Sequence, residues 1–315
     1  MMNGFEYSDD NKRYHSYSYY LKKRFGKKVY KVPLNIDLGC PNRDGTKGIG
    51  GCTFCSAKMS GNFAGDPRKT VEEQYAQVRD VMEKKWADAL CIPYFQAGSN
   101  TYADVGMLRE MFGTALELEN AVGLSIATRA DCIDTEKAKM LGELAKGTYL
   151  TVELGLQTIY DSTALAMNRC HTYADLLCAY EMLRAEDVNV CIHLIDGLPG
   201  ETAEMMRESA RTVGQLDIHA VKLHLLHVLK DTKLASMYLG GEFDLPDEKT
   251  YVSTVVSQLR RLPAETVICR LTGDGWSDEL IAPDWTRNKF RVLNDIDAEM
   301  RRLGCRQGDM CGVGN

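Results

Sequence analysis

A chain of 315 residues, 44% hydrophobic and 26% charged, carries enough apolar material for a large core, so disorder is excluded as its default state. No run approaches the roughly 20 apolar residues that span a bilayer, which argues against a helical membrane protein. A formal net charge of −6 excludes a chain that coats nucleic acid along its whole surface.

Residues 1–20 are polar and rich in tyrosine, without the basic-then-apolar pattern of a secretory leader, so a cytoplasmic location is expected. Residues 11–36 contain no acidic residue and eight basic ones: Lys12, Arg13, Lys22, Lys23, Arg24, Lys27, Lys28 and Lys31. Tyr14, Tyr17, Tyr19, Tyr20, Phe25 and Tyr30 are interleaved with them. Cations that hold phosphates, beside rings that stack on bases, suit single-stranded RNA. The same pattern suits a solvated helix whose aromatic face packs on the core, and both readings stand at this point.

Six near-continuous apolar runs follow, at 32–39, 90–97, 124–128, 149–156, 188–195 and 220–228. Such runs fit parallel strands covered on both faces. Helical patterns separate them: one after Pro67 with a Thr70-Val71-Glu72-Glu73 capping box reaching about Trp86, then 103–120, 135–146, 172–185 and 201–215. This alternation predicts an α/β fold, either a (β/α)6 partial barrel or a doubly wound sheet. After about Lys230 the rhythm changes. A helix over 245–262, a strand over 266–271 and a helix over 294–303 ended by Gly304 predict a small α+β extension. The expected division is an arm at 1–31, a barrel at 32–230 and an extension at 231–315.

Eleven cysteines form an odd set that fits a complete disulfide framework poorly. Cys91, Cys178, Cys191 and Cys269 sit in apolar runs and read as small packed hydrophobes. Cys305 and Cys311 read as packed or surface thiols. Cys40, Cys52 and Cys55 differ: they are spaced C-x11-C-x2-C on a glycine-rich loop directly after the first strand. That is the carboxyl end, where β/α folds place their sites. A structural zinc site needs a fourth ligand from outside the loop. Three thiolates suit a 4Fe–4S cluster with one iron unprotected. Both metals remain open on spacing alone.

The run GCPNRDGTKGIGGCTFC at 39–55 closely resembles the bacterial radical SAM family that includes YhcC and YtqA. Ordered matches continue along the chain. Tyr94 to Tyr102 follows the second strand, Thr128-Arg129-Ala130-Asp131 ends the third, and Glu153 to Thr158 lies on the fourth. His193 to Glu201 ends the fifth, and Lys222 to His227 fills the sixth. Several of these segments and the extension also resemble the radical SAM part of the Elongator catalytic subunit, which modifies transfer RNA. Three positions depart from the pattern. Ala130 stands where relatives have proline, Cys170 interrupts Arg169-x-His171 where they have glycine, and Gln96-Ala97-Gly98 replaces a Gly-Gly-Glu segment.

The resemblance implies a partial TIM barrel of the radical SAM type and two cofactors, a 4Fe–4S cluster and S-adenosyl-L-methionine. It implies reductive cleavage of the latter to a 5′-deoxyadenosyl radical. Cys40, Cys52 and Cys55 are the implied cluster ligands, and Phe54 the ring against adenine. Gln96, Asn100, Arg129, Glu153 and Gln157 are candidate cofactor contacts. Glu153, ionisable within an apolar strand, needs a buried partner, either the cofactor or an internal base such as Arg129. His193, His224 and Lys222 are candidate catalytic residues. The expected partners are a reductant such as flavodoxin or ferredoxin and, through the basic arm, transfer RNA or another RNA. Two other classes compete: a zinc-stabilised RNA-binding module, and a cluster-bearing protein without catalysis.

Overall fold

The computed structural model describes residues 5–59, 64–273 and 278–312. The first four residues of the expected arm, and 274–277 and 313–315 of the expected extension, lie outside the described residues. The elements run α1 (Tyr17–Phe25), β1 (Val29–Leu34), α2 (Val71–Lys85), β2 (Leu90–Phe95), α3 (Val105–Leu116), β3 (Gly123–Thr128), α4 (Thr135–Ala145) and β4 (Tyr149–Gln157). Next come α5 (Asp161–Ala166), α6 (Tyr173–Ala185), β5 (Asn189–Asp196), α7 (Ala203–Gly214), β6 (Ala220–Leu225) and β7 (Val228–Leu229). The chain closes with α8 (Lys233–Leu239), α9 (Glu248–Arg261), β8 (Val267–Arg270), β9 (Leu280–Ala282) and α10 (Lys289–Arg302).

The fold is α/β, with a seven-stranded sheet in the order β1-β2-β3-β4-β5-β6-β8 and a two-stranded β7-β9 pair. Six strands of the large sheet are those expected from the apolar runs. The seventh, β8, comes from the extension and pairs parallel to β6, Ala220 opposite Val267. By chain contacts the protein divides into two compact units, one of Leu21–Leu156 and Arg169–Cys191, the other of Met1–Tyr20, Gln157–Asn168 and Ile192–Asn315.

In the first unit, β1 pairs in parallel register with β2 from Val29↔Leu90 to Leu34↔Phe95, and β3 with β4 from Gly123↔Tyr149 to Thr128↔Leu154. Side chains alternate along β4. Leu150, Val152, Leu154 and Leu156 line one buried face, while Thr151 and Glu153 are buried on the other. Helix caps are chemically specified. Thr70 and Glu73 form the expected capping box of α2, and Thr172 with Asp175 forms another on α6. Asp104 caps α3 through Met107 N–H, so that helix starts two residues later than its apolar pattern suggests. The first strand is also displaced, to Val29–Leu34 instead of 32–39. Beyond Leu34 the backbone turns left-handed at Asp37 (φ 44°) and Gly39 (φ 72°), which ends extended pairing.

In the second unit, the run expected as one strand at 220–228 is split into β6 and β7. Leu226 N–H, just past β6, donates to Asp196 O at the end of β5 at 2.9 Å. Helix α8, capped by Thr232, was not evident as a separate element in the sequence. The last helix begins at Lys289 because Asn288 accepts from Arg291 N–H.

Asp196, at the end of β5, is fully buried. Gln258 Nε2 donates to its Oδ1 at 2.7 Å, and its Oδ2 has no hydrogen-bond partner. Burial pushes its carboxyl up to about 7, opposed by the Gln258 hydrogen bond and assisted by Glu201. A carboxyl raised above its unfolded value near 3.9 binds more protons folded than unfolded across that interval. Stability therefore falls as pH rises from about 4 to about 7, by up to about 1.4 kcal/mol per pH unit. Asp196→Asn, which keeps the acceptor for Gln258, is expected to flatten this slope in denaturant titrations at a series of pH values.

Candidate active site

The cysteine loop follows β1. Its backbone folds on itself: Arg43 N–H donates to Cys40 O at 2.8 Å, Lys47 N–H to Pro41 O at 2.8 Å, and Gly51 N–H to Asn42 O at 2.8 Å. Arg43 then reaches across the loop, its Nη2 donating to Cys55 O at 3.2 Å and Ser56 O at 2.6 Å. Two glycines are required by close approach. A Cβ at Gly48 would lie 2.2 Å from Asn42 Oδ1 and 2.7 Å from Cys170 Sγ; one at Gly98 would lie 2.5 Å from Gly39 O. Ser99 N–H meets that same Gly39 carbonyl at 3.0 Å, tying the loop after β2 to the loop after β1.

Cys52 is buried, whereas Cys40 and Cys55 are partly exposed. Two N–H groups aim at the Cys52 sulfur: Asn42 Nδ2 at 3.5 Å and Arg169 Nη1 at 3.4 Å. Arg169 is itself held by His171 Nε2, at 3.2 Å from Nε and 2.9 Å from Nη2, and by the Gly155 carbonyl. Burial is the main reason His171 loses basicity, with the charges of Arg169 and Arg129 adding to it. Among the described residues, no three His, Cys, Asp or Glu side chains converge to hold one metal ion.

Arg129 grips Asp131 with two hydrogen bonds of 2.8 Å. Burial works against its charge, yet the hydrogen-bonded Asp131 carboxylate, with negative charge on the neighbouring Cys40 and Cys52 sulfurs, holds its pKa above the ordinary value. Asn100 is buried and donates to Ala97 O at 3.2 Å and Ala127 O at 2.8 Å, while its Oδ1 has no hydrogen-bond partner. Phe54 and Gln96 are half-buried, and the Gln96 backbone donates to Leu34 O at 3.0 Å. Gln157, half-buried at the end of β4, has φ 78°.

The buried Glu153 is partnered by the half-buried Lys31, not by Arg129. Lys31 Nζ contacts Glu153 directly and Ser125 Oγ at 2.9 Å, and Ser125 Oγ donates to Glu153 at 2.8 Å. Lys31 also lies 4.4 Å from the Tyr94 ring centroid. Lys31 lies on β1, and its ammonium is engaged with Glu153 and Ser125 instead of standing with the exposed cations of the arm. Glu153→Ala strands Lys31 without its carboxylate and is expected to cost about 3 kcal/mol of stability, read as a lowered thermal midpoint.

In the other unit, the His193 and His224 rings lie 5.3 Å apart, and Lys222 is buried on β6 two positions before His224. Of the remaining thiols, Cys91 and Cys191 are buried as expected, Cys269 is half-buried, and Cys178 is exposed on α6, which corrects its reading as a core residue. In the arm, Tyr14 and Leu21 are buried, while Lys22, Lys23, Arg24, Lys27 and Lys28 are exposed. Arg24 rests over the Tyr149 ring at 5.0 Å and Lys28 over Trp86 at 4.6 Å. Lys12 is engaged by Asp297 at 2.7 Å.

Sequence reasoning missed Asn42, Arg43 and Arg169 as partners of the cysteine loop. The departures from the family pattern hold a partial signal. Ala97 (φ 77°) and Cys170 (φ 54°) both occupy the left-handed region, which favours glycine.

Residues 35–213 match the Radical SAM superfamily and residues 218–302 the Radical_SAM C-terminal domain. YtqA of Bacillus subtilis is 44% identical over 306 residues, 97% of this chain and 95% of YtqA. YhcC of Escherichia coli is 33% identical over 293 residues, 93% of each protein. A tRNA uridine(34) acetyltransferase of Methanocaldococcus jannaschii is 32% identical over 193 residues, 60% of this chain and 31% of that protein. The solved structure of archaeal Elp3 from Methanocaldococcus infernus superposes with a TM-score of 0.66 at 17% identity, over 89% of this chain. This chain spans 64% of that one, and the likeness shows a shared fold. The chain belongs to the radical SAM superfamily and is a radical SAM enzyme closely related to YtqA and YhcC.

Proposed function

We propose that Cys40, Cys52 and Cys55 hold a 4Fe–4S cluster with one iron left for S-adenosyl-L-methionine, and that the enzyme modifies RNA. The observation that carries the first part is the pair of N–H donors aimed at the Cys52 sulfur. Donors around a buried sulfur fit a thiolate ligand, whose charge they stabilise. A cubane also distributes its three cysteines over separate irons, so the ligands do not converge on one point as they do around a single ion. When bound, the cluster supplies the electron that breaks the sulfonium bond, giving methionine and a 5′-deoxyadenosyl radical.

The chain's own residues bind, orient and exclude water. Phe54 packs against adenine. Gln96, Asn100 and Gln157 offer polar contacts to the cofactor, Asn100 through the buried Oδ1 left over from its backbone bonds. Arg129 places a cation beside Cys40 and Cys52, and Glu153 with Lys31 supplies a polar pair between strands β1 and β4. His193, His224 and Lys222 contact substrate or carry protons. Residues 1–31 act as the substrate-binding arm, 32–230 as the catalytic barrel and 231–315 as the extension. A low-potential donor such as flavodoxin or ferredoxin supplies the electron.

The RNA assignment is supported by the exposed cations from Lys22 to Lys28 and by the partial likeness to a tRNA-modifying relative. Anaerobic reconstitution with iron and sulfide, followed by reduction in the presence of S-adenosyl-L-methionine, tests the chemistry. 5′-Deoxyadenosine is the expected product; a reducible cluster that yields none contradicts the proposal.

A further inference from the structure

We propose that Arg169 is a positioning residue that holds the Cys52 sulfur and raises the one-electron potential of the cluster bound there. The inference rests on the three-thiolate reading above. Arg169 is 6% exposed, and its hydrogen-bond partners are the Cys52 sulfur, the His171 imidazole and the Gly155 carbonyl. No carboxylate is among them. A buried guanidinium without a counter-charge is costly, and a Cys52 thiolate is the partner positioned to supply it.

The surroundings keep that charge uncancelled. His171 accepts from Arg169 through Nε2, so its proton sits on Nδ1, which lies 3.8 Å from Asp131 Oδ1. The imidazole is neutral under this arrangement. Asp131 is already matched by the two hydrogen bonds from Arg129. One net positive charge therefore remains beside the Cys52 sulfur. The guanidinium is also fixed in orientation, because three directions of its planar fork are occupied by partners on different segments.

Reduction adds one electron, delivered by the chemical reductant of a titration, to a group ligated through this sulfur. A fixed cation and N–H donation at a ligand sulfur both favour the more negative, reduced form and so raise the potential. The effect is expected to be local to the cluster and independent of substrate.

The test is a redox titration of the anaerobically reconstituted full-length protein, wild type against Arg169→Gln, with folding followed by circular dichroism and thermal melting. The variant is expected to titrate at a lower potential, by at least a tenfold change in the one-electron equilibrium, about 59 mV. A folded variant that no longer retains iron also supports the holding role. A folded, cluster-bearing variant with the wild-type midpoint overturns the inference. Should Arg169→Gln not fold, Arg169→Lys keeps the cation without the fork. It is expected to lose iron to a chelator several-fold faster than wild type, and an unchanged rate overturns the inference. A wild-type chain that takes up no iron and sulfide defeats the three-thiolate reading, and this inference with it, so the wild-type spectrum separates the two failures.

Discussion

Cys52→Ala and Cys55→Ala are each expected to abolish both the visible cluster absorption and the release of 5′-deoxyadenosine. Two thiolates leave two irons of the cubane without protein ligands. Cys52→Ala has a second consequence. It leaves Arg169 buried beside a methyl group, without the one hydrogen-bond partner able to take a negative charge, so some loss of stability accompanies the loss of cluster. Cys55 is partly exposed, so Cys55→Ala is expected to lose the cluster at a smaller cost in thermal midpoint than Cys52→Ala. Iron and sulfide analysis beside a melting curve separates the two effects. A Cys55→Ala protein that keeps wild-type absorption would remove that residue from the ligand set.

Neutralising Lys22, Lys23, Arg24, Lys27 and Lys28 together is expected to lower affinity for transfer RNA by roughly 100-fold near physiological salt. If each cation meets a phosphate, five contacts contribute about 3.5 to the slope of log affinity against log salt on single-stranded RNA. The wild type should therefore lose about 100-fold between 50 and 200 mM salt, and the variant much less. The fold itself tolerates the change, since these side chains are exposed and α1 is anchored by Leu21. The exceptions are cation–ring contacts, Arg24 over Phe25 and Tyr149 and Lys28 over Trp86, each worth about 0.5–1 kcal/mol when exposed. Filter binding across a salt series reads the result. Equal slopes for the two proteins would separate the arm from RNA recognition.

Much of the architecture was legible because it is written locally. Near-continuous apolar runs mark strands covered on both faces, and the Thr70–Glu73 box marks where a helix starts. The cysteine loop was legible for the same reason: its spacing, its glycines and its place after a strand are all within a short window. What the sequence concealed is long-range. Arg169 meets Cys52 across 117 positions, and Lys31 meets Glu153 across 122. No periodicity announces such a partner, because the fold that creates the pairing also sets which side chains share a face. Lys31 illustrates the cost of reading charge alone: its neighbours made it look like part of an exposed basic run, while its strand register turned it inward. The seventh strand was seen as a strand but assigned to the extension, since the sequence of β8 does not state that it pairs with β6.

Metal and sulfide analysis of the protein purified without oxygen tests the central claim most directly. The account predicts about four irons and four sulfides per chain, with no stoichiometric zinc. About one zinc and no sulfide, with a fourth side chain completing a tetrahedron around Cys40, Cys52 and Cys55, would contradict it.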